Sequence, residues 1–461
     1  MLLPSIIDDV QLIIIYYEVR KSKNHQAIEK TNLFAVLICQ IRFAINGFLG
    51  KTVKKTCIFV SVMVEWHKIV KASNNMSERK SSGKNLIDLR KSNKKRILKL
   101  LCDNGPLCGS DIARRINLSI GGTANITDEM LSDGLLEKSE AERVVRGRRP
   151  YMLRINARVG VVASILVNGK IKLCVSDFSG STMYCVDLSY ETLTVDIFNS
   201  VTEILKKYLQ KSGEKLYAVS VGLGGKIDKN TGEFVYAPSV QNSMDVNLKK
   251  MFSEAFSVPV SINTNVVFEM IAEKRYNTNV DIYNTLYVDN LGCSMFVGGK
   301  LFTGQHGFAG ELGLLDIDIY SETLSKYCKA IVERRANYFM SPYVGMFSPE
   351  EAENTARLAD AYRRGDPEVV EKFNGFFDLY ARVLRNIVEF MDFDNVIIRG
   401  DIAQFGESAI AYIENELADS RFGRLDIKVY PSVLGADAAL KGSIIVALEE
   451  SFDALVSENS R

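Results

Sequence analysis

The stretch that decides the N-terminal fold is LSIGGTANITDEMLSDGLL, residues 118–136. Within it, Gly122–Ser132 repeats apolar residues at helical spacing, so one face of a helix is apolar. Asp133-Gly134 is typical of a helix end, and Leu135–Lys138 favours a short strand directly after it. The stretch therefore predicts a helix that is followed by a strand.

Two further predicted helices precede this one. Asn93–Cys102 places leucines and an isoleucine at helical spacing, and Ser110 can cap a second helix over SDIARRIN. Asp103–Pro106 separates the two as a stop and a turn, and RGRRP at Arg146–Pro150 suits the tip of a β wing. Three short helices, with a tight turn before the third and a wing after it, predict a winged helix-turn-helix over residues 76–156.

The third helix of such a module would enter the major groove of double-stranded DNA, which admits a helix and distinguishes the base pairs. Asn125 is the best candidate for reading a base, because a side-chain amide can pair bidentately with adenine. The other outward positions are small and neutral, so basic side chains must supply phosphate contacts, and wing arginines suit a narrow minor groove. The predicted DNA-binding residues are Ser119, Gly121, Thr123, Asn125, Lys94, Lys95, Arg114, Arg115, Arg146, Arg148 and Arg149.

Charge is distributed unevenly along the 461 residues. The net charge is +1, but residues 1–75 carry +5, residues 76–156 carry +7 and the remainder carries −11. A basic N-terminal third favours a polyanion-binding module joined to an acidic body, although a solvated basic surface would give the same count. The proportions of 47% hydrophobic and 25% charged residues exclude the disordered, collagen-like and coiled-coil classes.

Residues 1–75 mix apolar runs with basic clusters and contain no motif. Met76 then opens a polar stretch typical of a protein start, so we expect 1–75 to be an atypical leader that translation from Met76 would omit. A real, poorly ordered extension is the alternative. The most apolar window, Leu33–Leu49, is interrupted by polar side chains and predicts no membrane span. The absence of a secretory signal favours a cytoplasmic protein.

The eight cysteines and three histidines are scattered, and no two cysteines form a CxxC pair. This pattern is typical of buried free thiols in a reducing compartment. It gives no support for a structural zinc site. We therefore expect neither a metal nor a cofactor.

The remaining residues alternate predicted strands with predicted helices. Asn168-Gly169 separates two apolar runs as a hairpin turn, and Tyr217–Gly224 is a buried strand that leads into a glycine-rich turn. Ser348–Glu351 and Asp366-Pro367 are helix starts, each with a proline at the first helical position. The alternation predicts a two-lobed α/β fold with a cleft.

Several motifs together match one known family. They are the stretch at 118–136, GRRPYMLRIN at 147–156, VGLGGKID at 221–228, VPVSINTN at 258–265, GGKLFTGQHGFAGELG at 298–313 and LGADAALKG at 434–442. From about Asn85 to Leu448 the chain resembles the ROK family of repressors, open reading frames and kinases. The resemblance implies an α/β protein in which the winged helix-turn-helix precedes a two-lobed, actin-like and sugar-kinase-like body. The lobes would be 157–268 and 269–461, the second with dimerisation helices.

The resemblance to the kinases of this family fails at their catalytic position. There the aspartate of an Asn-Asp pair takes the proton of the sugar hydroxyl. Here Thr264-Asn265 occupies that place, and Ile262–Val267 contains no acid. The two phosphate turns lack the family's glycines, reading Ile165–Asn168 and Val288–Gly292, and Asp289 would repel a phosphate. ATP binding and catalysis are therefore not expected.

The family's zinc site is missing as well, because Leu314 stands where the resemblance places a histidine ligand and the cysteine loop is absent. Glu311 remains, and in the family this residue hydrogen-bonds the sugar. The resemblance thus implies a pocket for a sugar or sugar derivative, unless Glu311 is a vestige in a repacked cleft. The ligand-binding residues would be Gly224, Gly225, Thr264, Asn265 and Glu311.

These observations predict a transcriptional regulator of carbohydrate metabolism. Repression is the favoured mode of regulation, and activation stays open. Its partners would be a double-stranded DNA operator and a small sugar effector, and it would act as a homodimer or a dimer of dimers. Two alternatives stay open. One is a residual sugar kinase with an unrecognised base, and the other is an interaction protein whose winged helix docks on another protein.

Overall fold

The structure is a computed structural model, and its described residues from Ile87 onward fold as one compact unit. The predicted leader at 1–75 and the predicted wing tip at Arg146–Pro150 lie outside the described residues. The structure describes residues 82–139, 151–190, 193–228, 230–236, 247–289, 292–310, 312, 349–420 and 423–458.

The N-terminal module is a winged helix-turn-helix, as predicted, and its first and third helices are longer than expected. Its strands pair antiparallel in the order β1-β3-β2. The second helix begins at Gly109, so the predicted cap at Ser110 is wrong and Cys108 takes the N-cap position. The elements are α1 (Ser82–Asn104), β1 (Leu107–Cys108), α2 (Gly109–Ile116), α3 (Ile120–Ser132), β2 (Leu136–Ser139) and β3 (Met152–Ile155).

The first lobe is built on a mixed sheet with the strand order β10-β7-β4-β5-β6. β10, β7 and β4 run parallel, and β4, β5 and β6 form an antiparallel meander whose first turn is the predicted hairpin at Asn168-Gly169. The elements are β4 (Val161–Asn168), β5 (Lys170–Asp177), β6 (Thr182–Ser189), α4 (Val195–Ser212), β7 (Leu216–Leu223), β8 (Lys226–Ile227), β9 (Phe234–Tyr236), α5 (Leu248–Phe256), β10 (Val260–Thr264) and α6 (Asn265–Tyr276).

The second lobe repeats this plan with the strand order β13-β12-β11-β14-β17. Its helices begin at both predicted prolines, and Asp366 Oδ1 caps the second by accepting from Val369 N at 3.2 Å. The elements are β11 (Thr285–Asp289), β12 (Gly292–Val297), β13 (Lys300–Phe302), α7 (Pro349–Arg363), α8 (Pro367–Met391), β14 (Asn395–Arg399), α9 (Glu407–Ala418), β15 (Asp419–Ser420), β16 (Gly423–Arg424), β17 (Lys428–Pro431) and α10 (Ala438–Glu458).

The last helix, α10, packs on the first sheet, so it lies with the first lobe and not with the lobe expected at 269–461. It is apolar on nearly all sides, which requires cover from every direction. Strands β4 and β7 cover one side, α6 covers another, and the winged helix covers a third. One apolar cluster thus joins Leu98 of α1 to Val162 of β4 and Leu448 of α10. The DNA-binding module and the body therefore share a core.

Cys174 and Cys185 form a disulfide between β5 and β6. The expectation of free thiols is wrong for these two residues. They face each other directly in the register of the two antiparallel strands, which brings their side chains together. Cys102 and Cys108 of the winged helix are free thiols, and burial raises the pKa of Cys102 to about 12.

Candidate functional site

The third helix, α3, begins at Ile120, two residues before the predicted start. Ser119 is its N-cap, and its hydroxyl accepts a hydrogen bond from Gly122 N at 3.1 Å. This bond satisfies one of the free N–H groups of the first turn. Gly121 and Asn125 are exposed on the side of α3 that faces away from the core. The first two turns thus present Ser119, Gly121 and Asn125 together, as the prediction required.

Thr123 does not belong to this exposed face. Its side chain is 1% exposed and lies on the inner side of α3 with Ile126 and Met130. Residues three and seven positions apart share one face of a helix, so the periodicity that buries Met130 also buries Thr123. The prediction that Thr123 contacts DNA is therefore wrong.

Lys94 is also withdrawn from the surface. It is 2% exposed, and its Nζ lies 2.7 Å from Glu129 and 2.9 Å from Asp133. The ion pairs hold α1 against α3, and the hydrogen bond from Lys94 lowers the pKa of Glu129. A buried ammonium with two carboxylate partners is not available to a phosphate, so the prediction for Lys94 is wrong.

The remaining basic candidates form ion pairs or hydrogen bonds with different partners. Lys95 is ion-paired with Asp453 of α10. Arg114 is 75% exposed and lies 2.7 Å from Asp111, and Arg115 donates to the side chain of Asn104. Surface pairs of this kind are weak and can exchange for a phosphate. The three wing arginines, Arg146, Arg148 and Arg149, lie outside the described residues.

In the body, Thr264 ends β10 and Asn265 begins α6. Asn265 Nδ2 donates to the backbone carbonyl of Val167 at 3.0 Å, and its Oδ1 is buried without a hydrogen-bond partner. Gly222 of β7 makes room for this side chain, because a Cβ there would lie 2.5 Å from Oδ1. The side chain of Asn265 is thus turned against the first sheet.

The other candidate pocket residues are described in part. Gly224 is exposed in the turn between β7 and β8, and Gly225 has a φ of 111°, in the left-handed region that favours glycine. Glu311 lies outside the described residues. The structure therefore places Gly224, Gly225, Thr264 and Asn265 at adjacent strand ends of the first lobe and leaves the role of Glu311 as a prediction.

A buried ion-pair cluster lies where β11 and β14 end, beside the segment Val288–Gly292 that the resemblance compares with a phosphate turn. Asp289 ends β11 and Arg399 ends β14, and the two are register partners in parallel strands. Arg399 Nη1 is ion-paired with Glu269 of α6 and lies 3.4 Å from Asp289. Tyr287 donates to Glu269 at 3.4 Å. The guanidinium of Arg399 is thus held by two acidic side chains.

Burial dominates the electrostatics of this cluster. Together with the like charge on Asp289, and against the opposing guanidinium of Arg399, it raises the pKa of Glu269 to about 8. Burial also raises the pKa of Asp289. Both shifts have the same cause, since a low-dielectric surrounding disfavours the charged form of a carboxyl group. No sequence pattern signalled this cluster, since Glu269 and Arg399 are 130 positions apart.

A contact joins the two lobes at the turn after β8. His306 Nδ1 lies 3.1 Å from Asp228 Oδ2, and Asn230 Nδ2 donates to the carbonyl of Gln305 at 3.3 Å. Hydrogen bonds from the backbone N–H groups of Asn230 and Thr231, and from His306, lower the pKa of Asp228. The first lobe therefore contacts the loop after β13 of the second lobe, at Gln305 and His306, through polar side chains.

The described residues form neither a metal-binding cluster nor a membrane-spanning helix. Within the described ranges, no three histidine, cysteine or acidic side chains cluster so as to hold a metal ion. Among the helices that the structure describes, none has the length and apolar character needed to cross a membrane.

Two family models match the chain. The model of the ROK family matches residues 168–450, which is more than half of the chain. A model described as winged helix-turn-helix DNA-binding matches residues 90–137. The second match covers α1, α2, α3 and the start of the wing.

Curated relatives and a solved structure resemble the chain over both parts. The xylose repressor of Caldicellulosiruptor bescii is 26% identical over 247 residues, which are 51% of this chain and 61% of that protein. The xylose repressor of Bacillus subtilis strain 168 is 22% identical and aligns over 79% of this chain and 97% of its own length. The crystal structure of a ROK family transcriptional regulator, a homologue of the Escherichia coli MLC protein, superposes with a TM-score of 0.60 at 18% identity. That superposition covers 80% of this chain and 98% of the other. The chain thus spans about three fifths of the length of the first of these relatives.

Proposed function

Because this chain belongs to the ROK family, we propose that it is a sequence-specific DNA-binding transcriptional regulator without sugar-kinase activity. It represses genes of carbohydrate metabolism in the cytoplasm and releases them when its body binds a sugar or sugar derivative. The observation that carries the proposal is the start of α3, where a helix-turn-helix exposes Asn125 beside Gly121 and a capped first turn. The xylose-repressor names of the relatives support it.

The proposed DNA contacts divide into two groups. Asn125 faces base edges in the major groove. Ser119 and Gly121 lie beside it, where the helix comes closest to the DNA. The basic side chains meet phosphates on both sides and supply affinity that is independent of sequence. A homodimer, or a dimer of dimers, would present two such helices to the two halves of a palindrome. The phosphate-contacting residues are Lys95, Arg114, Arg115, Arg146, Arg148 and Arg149.

The proposed effector site is the cleft that Gly224, Gly225, Thr264, Asn265 and Glu311 would line. α6 starts at this site and packs closely on α10, where a Cβ at Gly442 would lie 1.8 Å from the carbonyl oxygen of Phe268. α10 in turn shares its core with α1 and β2 of the winged helix. A sugar that prefers one lobe arrangement can therefore shift the position of the DNA-reading helix through α6 and α10, in proportion to its differential affinity.

The proposal that catalysis is absent rests on Asn265 and Arg399. An amide cannot accept the proton of a sugar hydroxyl, and Asn265 is already hydrogen-bonded to the first sheet. Arg399 is neutralised by Glu269 and Asp289 where a kinase would leave positive charge for the nucleotide. A coupled assay for ADP release with ATP and a panel of hexoses tests this. Turnover above the no-hexose control would restore the kinase alternative.

Fluorescence anisotropy of the full chain tests DNA binding directly. The probes are labelled DNA from upstream of its own gene and random DNA of equal length, each measured across a salt series. We expect tighter binding to the upstream DNA and weakening on both probes as salt rises. Absence of binding at any salt would contradict the proposal, and salt-insensitive capture of a protein partner would favour the docking alternative.

Two variants separate base reading from phosphate contact. Asn125→Ala should reduce the difference between the two probes, because it removes an amide that pairs with a base. Arg148→Ala should weaken both probes similarly and flatten the salt dependence. Equal losses on both probes from both variants would contradict this division of roles.

A further inference from the structure

The first residue of α3 was not among the predicted contacts, and it is the most exposed large apolar side chain among the described residues of the winged helix. Ile120 is 71% exposed. It joins none of the apolar clusters formed by the described residues. Other large apolar side chains, such as Phe390, are also exposed, so exposure by itself assigns no role. The role of Ile120 is indicated by its position in the first turn of α3.

The residues around Ile120 have small side chains or none. A Cβ added at Gly121 would meet no atom within 4 Å, and Ala124, one turn further along α3, ends at its Cβ. Ser119 has a short side chain, and its hydroxyl oxygen accepts a hydrogen bond from Gly122 N. At the start of the helix, the side chains long enough to reach a base edge are therefore those of Ile120 and Asn125.

An isoleucine side chain offers no hydrogen bond, so it can recognise only an apolar group. The major groove presents one such group, the 5-methyl of thymine. A helix enters that groove with its N-terminal residues closest to the bases. We infer that Ile120 determines sequence specificity by packing against a thymine methyl in each half of the operator. This inference rests on the proposed DNA-binding function and adds a residue and a base to it.

Deoxyuridine provides the test, because it differs from thymidine only by that methyl group. The full chain is first used to select its preferred sequence from a random double-stranded library. Each thymine of the selected site is then replaced singly by deoxyuridine, and affinity is measured by anisotropy at fixed salt. The loss of one methyl contact is expected to weaken binding about fourfold, the factor that burial of one such group provides.

The same probes are measured with Ile120→Ala and with Val433→Ala, a matched change at another exposed β-branched residue, which lies in the body. We expect one thymine in each half-site at which deoxyuridine weakens the wild type and Val433→Ala about fourfold but leaves Ile120→Ala unaffected. Unchanged thermal unfolding of Ile120→Ala shows that the helix is intact, since alanine is a good helix former.

The outcomes that overturn the inference are separate from those that overturn the function. A selected operator that tolerates deoxyuridine at every position contradicts the role of Ile120 alone. The same holds if Ile120→Ala keeps the wild-type penalty. Failure to select any sequence contradicts the regulator proposal and the role of Ile120 with it.

Discussion

The helices α3 and α6 both begin with candidate contact residues, and each has an asparagine near its start. The two asparagines differ in whether the amide is exposed to solvent. In α3, Asn125 is exposed to solvent behind a first turn that Ser119 caps. In α6, Asn265 is held inside by the carbonyl of Val167. A solvated amide can exchange water for a ligand at little cost, whereas Asn265 must first break an internal bond. The comparison shows that the amide of Asn125 is available to a ligand, whereas that of Asn265 is engaged inside the fold.

The charges around the two helices follow the same division. Arg114 near α3 is exposed and has only a surface partner. Arg399 beside α6 is enclosed with Glu269 and Asp289. The first cation remains available to a phosphate, and the second contributes to the fold. The predictions below test this contrast, beginning with the largest expected effect.

Arg399→Met should lower the free energy of unfolding by about 3–5 kcal/mol, because it leaves two buried carboxylates without their cation. Urea denaturation monitored by circular dichroism at pH 9, where Glu269 is ionised, measures the loss. Adding Glu269→Gln to this variant should recover part of it. An unchanged urea midpoint for Arg399→Met would show that the cluster does not stabilise the α6 end of the cleft.

The same cluster predicts a pH dependence. Glu269 has a pKa of about 8 in the folded chain against an ordinary value of 4.5, so it contributes full stability below pH 4.5. Between pH 4.5 and 8 the unfolded chain releases this proton first, and the free energy of unfolding falls as pH rises. Glu269→Gln should flatten the curve in this window. A wild type and a variant with parallel curves would contradict the assignment.

Gly442→Ala should destabilise the chain by about 1–3 kcal/mol, because the added methyl would collide with the backbone of Phe268 in α6. Gly435→Ala is the matched control, since a Cβ there would meet nothing within 4 Å. Thermal unfolding of both variants measures the difference. Equal stability of the two would mean that α6 and α10 are not in close contact.

Gly121→Ala should stabilise the chain, whereas Gly442→Ala should destabilise it. The position is open and lies within α3, so alanine should raise the free energy of unfolding by about 0.5–1 kcal/mol. The same methyl would stand between α3 and the bases, so affinity for the selected operator should fall. Thermal unfolding and anisotropy on one preparation check both signs. A variant that is more stable and binds the operator with unchanged affinity would contradict the assignment of Gly121 to the DNA-facing surface.

The smallest effect is expected at the ion pair between Lys95 and Asp453, which joins α1 to α10. Both side chains are substantially exposed, so their coupling in a double-mutant cycle with Lys95→Ala and Asp453→Ala should be below about 1 kcal/mol. Urea denaturation of the four proteins gives the value. A larger coupling would mean that this pair, and not the shared apolar core, holds the winged helix to the body.

The sequence alone was sufficient wherever structure depends on near neighbours. The order of helices and wing, the hairpin at Asn168-Gly169 and the helix starts at Pro349 and Pro367 were all predicted. Periodicity, capping residues and turn residues act over a few positions, so they can be read without a fold. The exposure of Asn125 followed from the same periodicity. The presence of Asn265 where the resemblance implies an aspartate is a matter of residue identity alone.

Only the tertiary structure decided which polar side chains are free. Lys94 was predicted to contact DNA, but Glu129 and Asp133, more than thirty positions away, enclose it. Arg399 meets Glu269 because two parallel strands and a helix end at one place, and Cys174 meets Cys185 through strand register. A charge or a thiol has the same local pattern whether it is paired or solvated. Its state depends on distant residues that the fold brings together.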